Sequence, residues 1–123
     1  MTSGGTGRPR AGPASVERVK AISEVDVDEL ASLLEQGARL IDVREPNEYE
    51  QARVPGAELV PLATVPDHLD RFSSDGPTYV ICRSGARSMR ACEFASEHGR
   101  EAVNVAGGTL AWIETGRPVD SGA

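Results

Sequence analysis

Residues 79–90 read YVICRSGARSMR. An apolar run, Tyr79 to Ile81, leads straight into Cys82, and the eight residues that follow carry a glycine and three arginines but no acid. A cysteine placed between a strand and a helix start meets the unpaired N–H groups of the first helical turn and the positive end of the helix dipole. Both favour thiolate over thiol. Arg83 and Arg87 add fixed positive charge, and Gly85 lets the loop curl so that successive N–H groups point inward, a nest suited to an anion. The expected result is a Cys82 thiol that ionises below its usual value of about 8.5 and acts as a nucleophile near neutral pH. The competing reading, a small buried residue that merely closes a strand, is the common fate of a free cysteine. It gives no use to an arginine on each side of a Gly turn.

Such a loop needs a strand before it and a helix after it. PTYVI (77–81) is the most strand-like run in the chain, and Arg87 to His98 reads as a helix with Gly99 as its stop. Around them the same alternation recurs. Val19 to Ile22 reads as a short first strand, and Asp26 with Glu29 forms a capping box for a helix through Leu30, Leu33 and Leu34 that stops at Gly37. RLIDV (39–43) is a strand ending in a carboxylate, EPNEYEQ (45–51) a short helix with Pro46 in its first turn, ELVP (58–61) a strand and VPDHLDRF (65–72) a short helix. AVNV (102–105) and TLAWIET (109–115) complete the series, with Gly116 as the last stop. Strands alternating with helices predict a mostly parallel sheet with helices on both faces. Ligands of such sheets sit beyond the carboxyl ends of the strands, where Asp42, Cys82 and the Gly107-Gly108 turn converge.

The chain has 123 residues, room for one core and one site. The first sixteen residues, rich in Gly, Pro, Ser, Thr and Arg, are expected to form a disordered leader, residues 17–119 the domain, and 120–123 a loose tail. The net charge is −6, and the basic residues, twelve arginines and Lys20, are scattered rather than gathered in a stripe. That argues against nucleic acid as a partner. Two cysteines ten positions apart and two histidines match neither a disulfide framework nor zinc-ligand spacing, so no metal is expected. Without an apolar signal region or a membrane-length run, the expected setting is the reducing cytoplasm, away from membranes.

The blocks IDVREPNEYEQARVPGAELVP (41–61), YVICRSGARS (79–88) and VNVAGGTLAWIETGRPV (103–119) resemble, in order, a single-domain rhodanese, the sulfurtransferase family. The resemblance covers roughly residues 22–119 and implies a rhodanese-like α/β domain, a central, mostly parallel five-stranded sheet flanked by helices on both faces. It implies a two-step cycle in which Cys82 takes a sulfane sulfur from a donor such as thiosulfate, holds it as a persulfide and passes it to a thiophilic acceptor: cyanide, a thiol or a protein of a sulfur relay. No cofactor is implied. The residues of the cradle would be Arg83, Ser84, Gly85, Ala86, Arg87 and Ser88, the two arginines binding the charged end of the donor and the others acting through N–H groups or hydroxyls. Asp42, in the family's D-x-R segment, would support the loop from behind.

Two rivals are set against this. Cysteine-dependent phosphatases and some arsenate reductases use C-x5-R, whereas the count from Cys82 is C-x4-R-S, with Ser88 where their arginine would stand. A regulatory or binding module using the same fold without turnover is the second, and an intact cysteine loop weighs against it. Thiosulfate, glutathione persulfide, mercaptopyruvate and a cysteine-desulfurase partner all stay open as donors.

The remaining candidates read as scaffold. Arg44 and Glu48 are spaced for an i,i+4 ion pair. Ala52 and Arg53 replace the Gly and His common in relatives. Cys92 reads as a buried neutral thiol, Trp112 as packing for the last helix, and His68 and His98 as surface residues.

Overall fold

The computed structural model describes residues 21–73 and 75–122. A sheet of five parallel strands forms its centre: β1 (Glu24–Val25), β2 (Arg39–Asp42), β3 (Glu58–Leu59), β4 (Thr78–Ile81) and β5 (Ala102–Val105), in the spatial order β1-β5-β4-β2-β3. The helices are α1 (Val27–Glu35), α2 (Pro46–Gln51), α3 (Ala86–Glu97) and α4 (Gly108–Glu114).

Strand side chains alternate between two cores because successive residues point to opposite faces. Ile41, Val43, Val80 and Cys82 join Ala91, Cys92 and Ala95 of α3 and Phe72 on one face. Leu40, Tyr79, Ile81, Val103 and Val105 join Val27 and Leu30 of α1 and Trp112 of α4 on the other. Helices therefore cover both faces, as the alternation predicts. Complete burial of side chains such as Leu30, Ile41, Ile81 and Phe72 contributes about 1.5–3 kcal/mol each.

Local signals set several boundaries. The Asp26 carboxylate accepts from the Glu29 N–H at 2.8 Å while Glu29 accepts from the Asp26 N–H at 3.2 Å, closing the predicted capping box of α1. The first strand lies later than expected. Of the predicted run, residues 19 and 20 fall outside the described residues and Ile22 packs on the α3-side core. The strand forms at Glu24–Val25 because the Asn104 and Ala106 N–H groups bond to Ser23 and Val25 carbonyls. Residues 65–72 are not an α-helix but parts of two 3-10 turns, Leu62–Asp67 and Leu69–Arg71. The His68, Arg71 and Phe72 N–H groups bond three residues back, to Val65, His68 and Leu69, and His68 leaves helical geometry at a φ of −131°, which divides the segment into two short turns.

The C-terminal residues are tied down rather than loose. Arg53 and Asp120 exchange both backbone hydrogen bonds, the Gly122 N–H donates to Glu50, and the Arg53 guanidinium donates to the Gly122 carbonyl at 2.8 Å while lying over the Tyr49 ring. Arg53 thus anchors residues 120–122; Ala123 and the expected leader lie outside the described residues.

Candidate active site

Cys82 follows β4 at the carboxyl edge of the sheet and is 1% exposed. The chain then turns over Gly85, whose φ of 116° is one that only glycine adopts freely, and enters α3 at Ala86. This turn directs the Gly85 N–H at the Cys82 sulfur, 3.1 Å away, and the first turn of α3 brings the Ser88 hydroxyl within 3.3 Å. Burial alone would push the thiol up. The Ser88 hydroxyl and the N–H groups of Ser88, Gly85 and Ser84 outweigh it, and the thiol lies below its ordinary value.

The loop is held from behind by α4. The Cys82 carbonyl accepts from the Thr109 N–H at 2.9 Å and its hydroxyl at 3.0 Å, and the Arg83 carbonyl accepts from the Leu110 N–H at 3.1 Å. This close approach requires Gly108, because a Cβ there would lie 2.5 Å from the Arg83 carbonyl oxygen.

The loop arginines take different positions. Arg83 is exposed, and among the described residues no hydrogen bond or ion pair holds its side chain. Arg87 turns to α2, where its guanidinium forms a fork with Glu48, Nη1 to Oε1 at 2.7 Å and Nη2 to Oε2 at 2.8 Å. That fork, with smaller help from other donors, holds the Glu48 carboxyl down to about 2 despite its partial burial. The i,i+4 pairing of Arg44 with Glu48 does not form. Arg44 precedes the helix, which starts at Pro46, so helical spacing does not apply to it.

Arg44 instead grips Asp42. Both are buried, with Nη2 to Oδ2 at 2.8 Å and Nε to Oδ1 at 2.9 Å, and Asp42 also accepts the Arg44 N–H. Asp42 was expected to support the cysteine loop, but its bonds go to Arg44, whose Nη2 also donates to the Ala52 carbonyl at the end of α2. Its link to the loop is indirect, from Arg44 through α2 and Glu48 to Arg87. Removing one partner of such a buried pair typically costs about 3–5 kcal/mol.

Of the expected cradle, Ser84, Gly85 and Ser88 surround the sulfur. Arg83 stands at the exposed rim, Arg87 is committed to Glu48, and Ala86 opens α3 without a polar contact to the sulfur. Cys92, one turn beyond Ser88, is fully buried, and burial pushes its thiol up to about 12. Trp112 packs in the core on the opposite face from Cys82, its Nε1 donating to the Pro118 carbonyl. His68 and His98 are exposed. Among the described residues no three His, Cys, Asp or Glu side chains come together as a metal site, and no helix is long and apolar enough to cross a membrane.

Glu48 and Asn104 were missed as contributors, whereas the Gly107-Gly108 turn, expected at this edge, supplies the Gly108 contact. Glu48 had a visible second signal, since its carboxylate also caps the Glu45 N–H at 3.0 Å. Asn104 is the polar member of the apolar run AVNV, yet it is 1% exposed and bonded to Ser88 at 2.5 Å. A polar residue inside a buried strand marks a required hydrogen bond.

Comparison with known proteins agrees with this fold. The Rhodanese-like domain profile matches residues 26–115. A protein of Allochromatium vinosum named Sulfurtransferase is 33% identical over 101 residues, covering 80% of this chain and 94% of that protein. Among solved structures, a rhodanese-like domain protein of Staphylococcus aureus superposes with a TM-score of 0.70 at 34% identity, covering 74% of this chain and 91% of that one. The human single-domain sulfurtransferase TSTD1 superposes with a TM-score of 0.71 at 28% identity, covering 76% of this chain and 97% of that one. With a profile match over most of its length and a shared parallel sheet, the chain belongs to the rhodanese-like family.

Proposed function

We propose that this protein is a sulfurtransferase that carries sulfane sulfur on Cys82, from a donor such as thiosulfate to a thiophilic acceptor. The observation that carries the reading is the Cys82 sulfur facing the Gly85 N–H at 3.1 Å and the Ser88 hydroxyl at 3.3 Å at the start of α3. Donors so aimed stabilise a sulfur anion, in the thiolate before the reaction and in the persulfide after it.

In the first step the Cys82 thiolate attacks the outer sulfur of thiosulfate. A Cys82 S–S bond forms, the donor's S–S bond breaks, and sulfite leaves with its electron pair. In the second, cyanide or an acceptor thiolate attacks the outer persulfide sulfur and the Cys82 thiolate leaves. Splitting one transfer into two is covalent catalysis. The N–H groups from Ser84 to Ser88 would receive the terminal sulfur. Arg83, the uncommitted loop arginine among the described residues, would meet the anionic end of the donor, while Arg87, bound to Glu48, holds the loop. No cofactor enters either step.

The test is the intact mass after incubation with thiosulfate. A gain of one sulfur that disappears in Cys82→Ser, together with thiosulfate:cyanide turnover, is expected. No adduct and no turnover would leave a binding module, and Cys82-dependent hydrolysis of an aryl phosphate would point to a phosphatase.

A further inference from the structure

The Asn104 side chain lies buried among three polar partners. Its Nδ2 donates to Glu24 Oε2 at 2.8 Å and to the Gly85 carbonyl at 3.3 Å. An ionised carboxylate and a carbonyl only accept, so both Nδ2 hydrogens are committed and the amide oxygen faces the third partner. That partner is Ser88 Oγ, 2.5 Å from Oδ1 and 3.3 Å from the Cys82 sulfur. The register of the sheet sets this up, because Glu24 of β1 is the paired neighbour of Asn104 on β5.

A serine hydroxyl has one hydrogen and here two acceptors. While Cys82 is a thiol, its S–H can donate to Ser88 Oγ and the serine hydrogen can rest on Asn104. Once the sulfur is an anion the hydrogen is needed there, and the buried Asn104 oxygen loses its donor. We propose that Asn104, aimed by Glu24, is a positioning residue that competes with the Cys82 sulfur for the Ser88 hydroxyl hydrogen and so sets how readily that thiol ionises. The proposal deepens the sulfur-carrier reading and rests on Cys82 as the reacting thiol. The charged or titratable groups facing that thiol are Arg87 and Cys92 from α3 and, through Asn104, Glu24 from β1, while Arg83, next to it in the loop, is exposed at the rim. Behind these stand Glu48 of α2 on Arg87 and the Asp42–Arg44 pair beyond β2, while the first turn of α4 brings none.

The rate of Cys82 alkylation by iodoacetamide against pH, followed by peptide mass, reads the ionisation directly. It needs no sulfur donor, so it succeeds or fails separately from the persulfide test. Ser88→Ala should raise the midpoint by about half to one pH unit, because the thiolate loses a donor. Asn104→Ala should lower it by a comparable amount, because the hydroxyl hydrogen then belongs to the sulfur alone. Glu24→Gln, at an exposed position that tolerates the change, should lower it by less and carries the test if Asn104→Ala does not fold. Neither fall should persist in a Ser88→Ala background. A midpoint that rises in Asn104→Ala or Glu24→Gln, as simple loosening of the loop would produce, overturns the proposal. So does a midpoint that stays put, or a fall that survives without Ser88 and is therefore a charge effect alone.

Discussion

Replacing Glu48 with glutamine separates two roles for Arg87, a brace for the loop or a clamp for the donor. In the protein the fork bonds measure 2.7 and 2.8 Å, and the Arg87 and Glu48 side chains are 33% and 24% exposed. Charge-assisted bonds are worth about 1.5–3 kcal/mol when shielded, but water screens this pair, so Glu48→Gln should cost about 1–2 kcal/mol in total. For a domain of this size that lowers Tm by roughly 5–10 °C. The pH dependence has a definite sign. The Arg87 bonds hold the folded Glu48 carboxyl at about 2 against an ordinary 4.5, so its stabilisation is complete above 4.5 and is lost as pH falls through 2. Melting curves of protein and variant should therefore be farthest apart near neutral pH and converge across that acidic window. A gap that stays constant or widens on acidification would refute the brace. Kinetics give a second check: if Arg87 clamped the donor, its release from Glu48 would lower the KM for thiosulfate, whereas loss of a brace slows Cys82 loading with KM no lower.

Three further outcomes are expected. Arg83→Ala should raise the KM for an anionic donor about tenfold or more, from loss of a charge-assisted contact of about 1.5 kcal/mol, with little change in Tm; an unchanged KM in steady-state assays would remove Arg83 from donor binding. Gly108→Ala should slow Cys82 loading and cost about 1–3 kcal/mol in urea unfolding, because the added Cβ meets the Arg83 carbonyl and the backbone sits at a φ of +60°; wild-type loading would show that the loop does not depend on this contact. Cys92→Ala should cost roughly 1 kcal/mol of stability and leave the mass gain on Cys82 intact; loss of the gain in a folded variant would make Cys92 part of the sulfur path.

How much was legible in the chain follows from how far apart the interacting residues lie. The cysteine turn and the capping box at Asp26 depend on neighbours within a few residues and appear in the structure where expected, whereas the strand–helix alternation holds except for the later first strand and the 3-10 turns. The 3-10 turns were local too, but the pattern of residues 65–72 gave no sign that the backbone at His68 would leave helical geometry and split the segment. Arg44 and Glu48 show the limit of spacing rules. They are four apart, yet one lies outside the helix, and each finds a better partner elsewhere. Arg53 likewise looked only like a lost histidine until the fold brought residues 120–122 beside it.

The sequence by itself determined the cysteine at the end of its strand, the glycine that turns the loop and the helix start that faces the sulfur, because contiguous backbone carries these effects. Only the tertiary structure decided which loop arginine is bound to a carboxylate. Parallel strands bring together side chains 39 residues apart, as with Arg87 and Glu48, or 80 apart, as with Asn104 and Glu24, through strand order and register. Those pairings depend on the packing of the whole domain, and no local pattern encodes them.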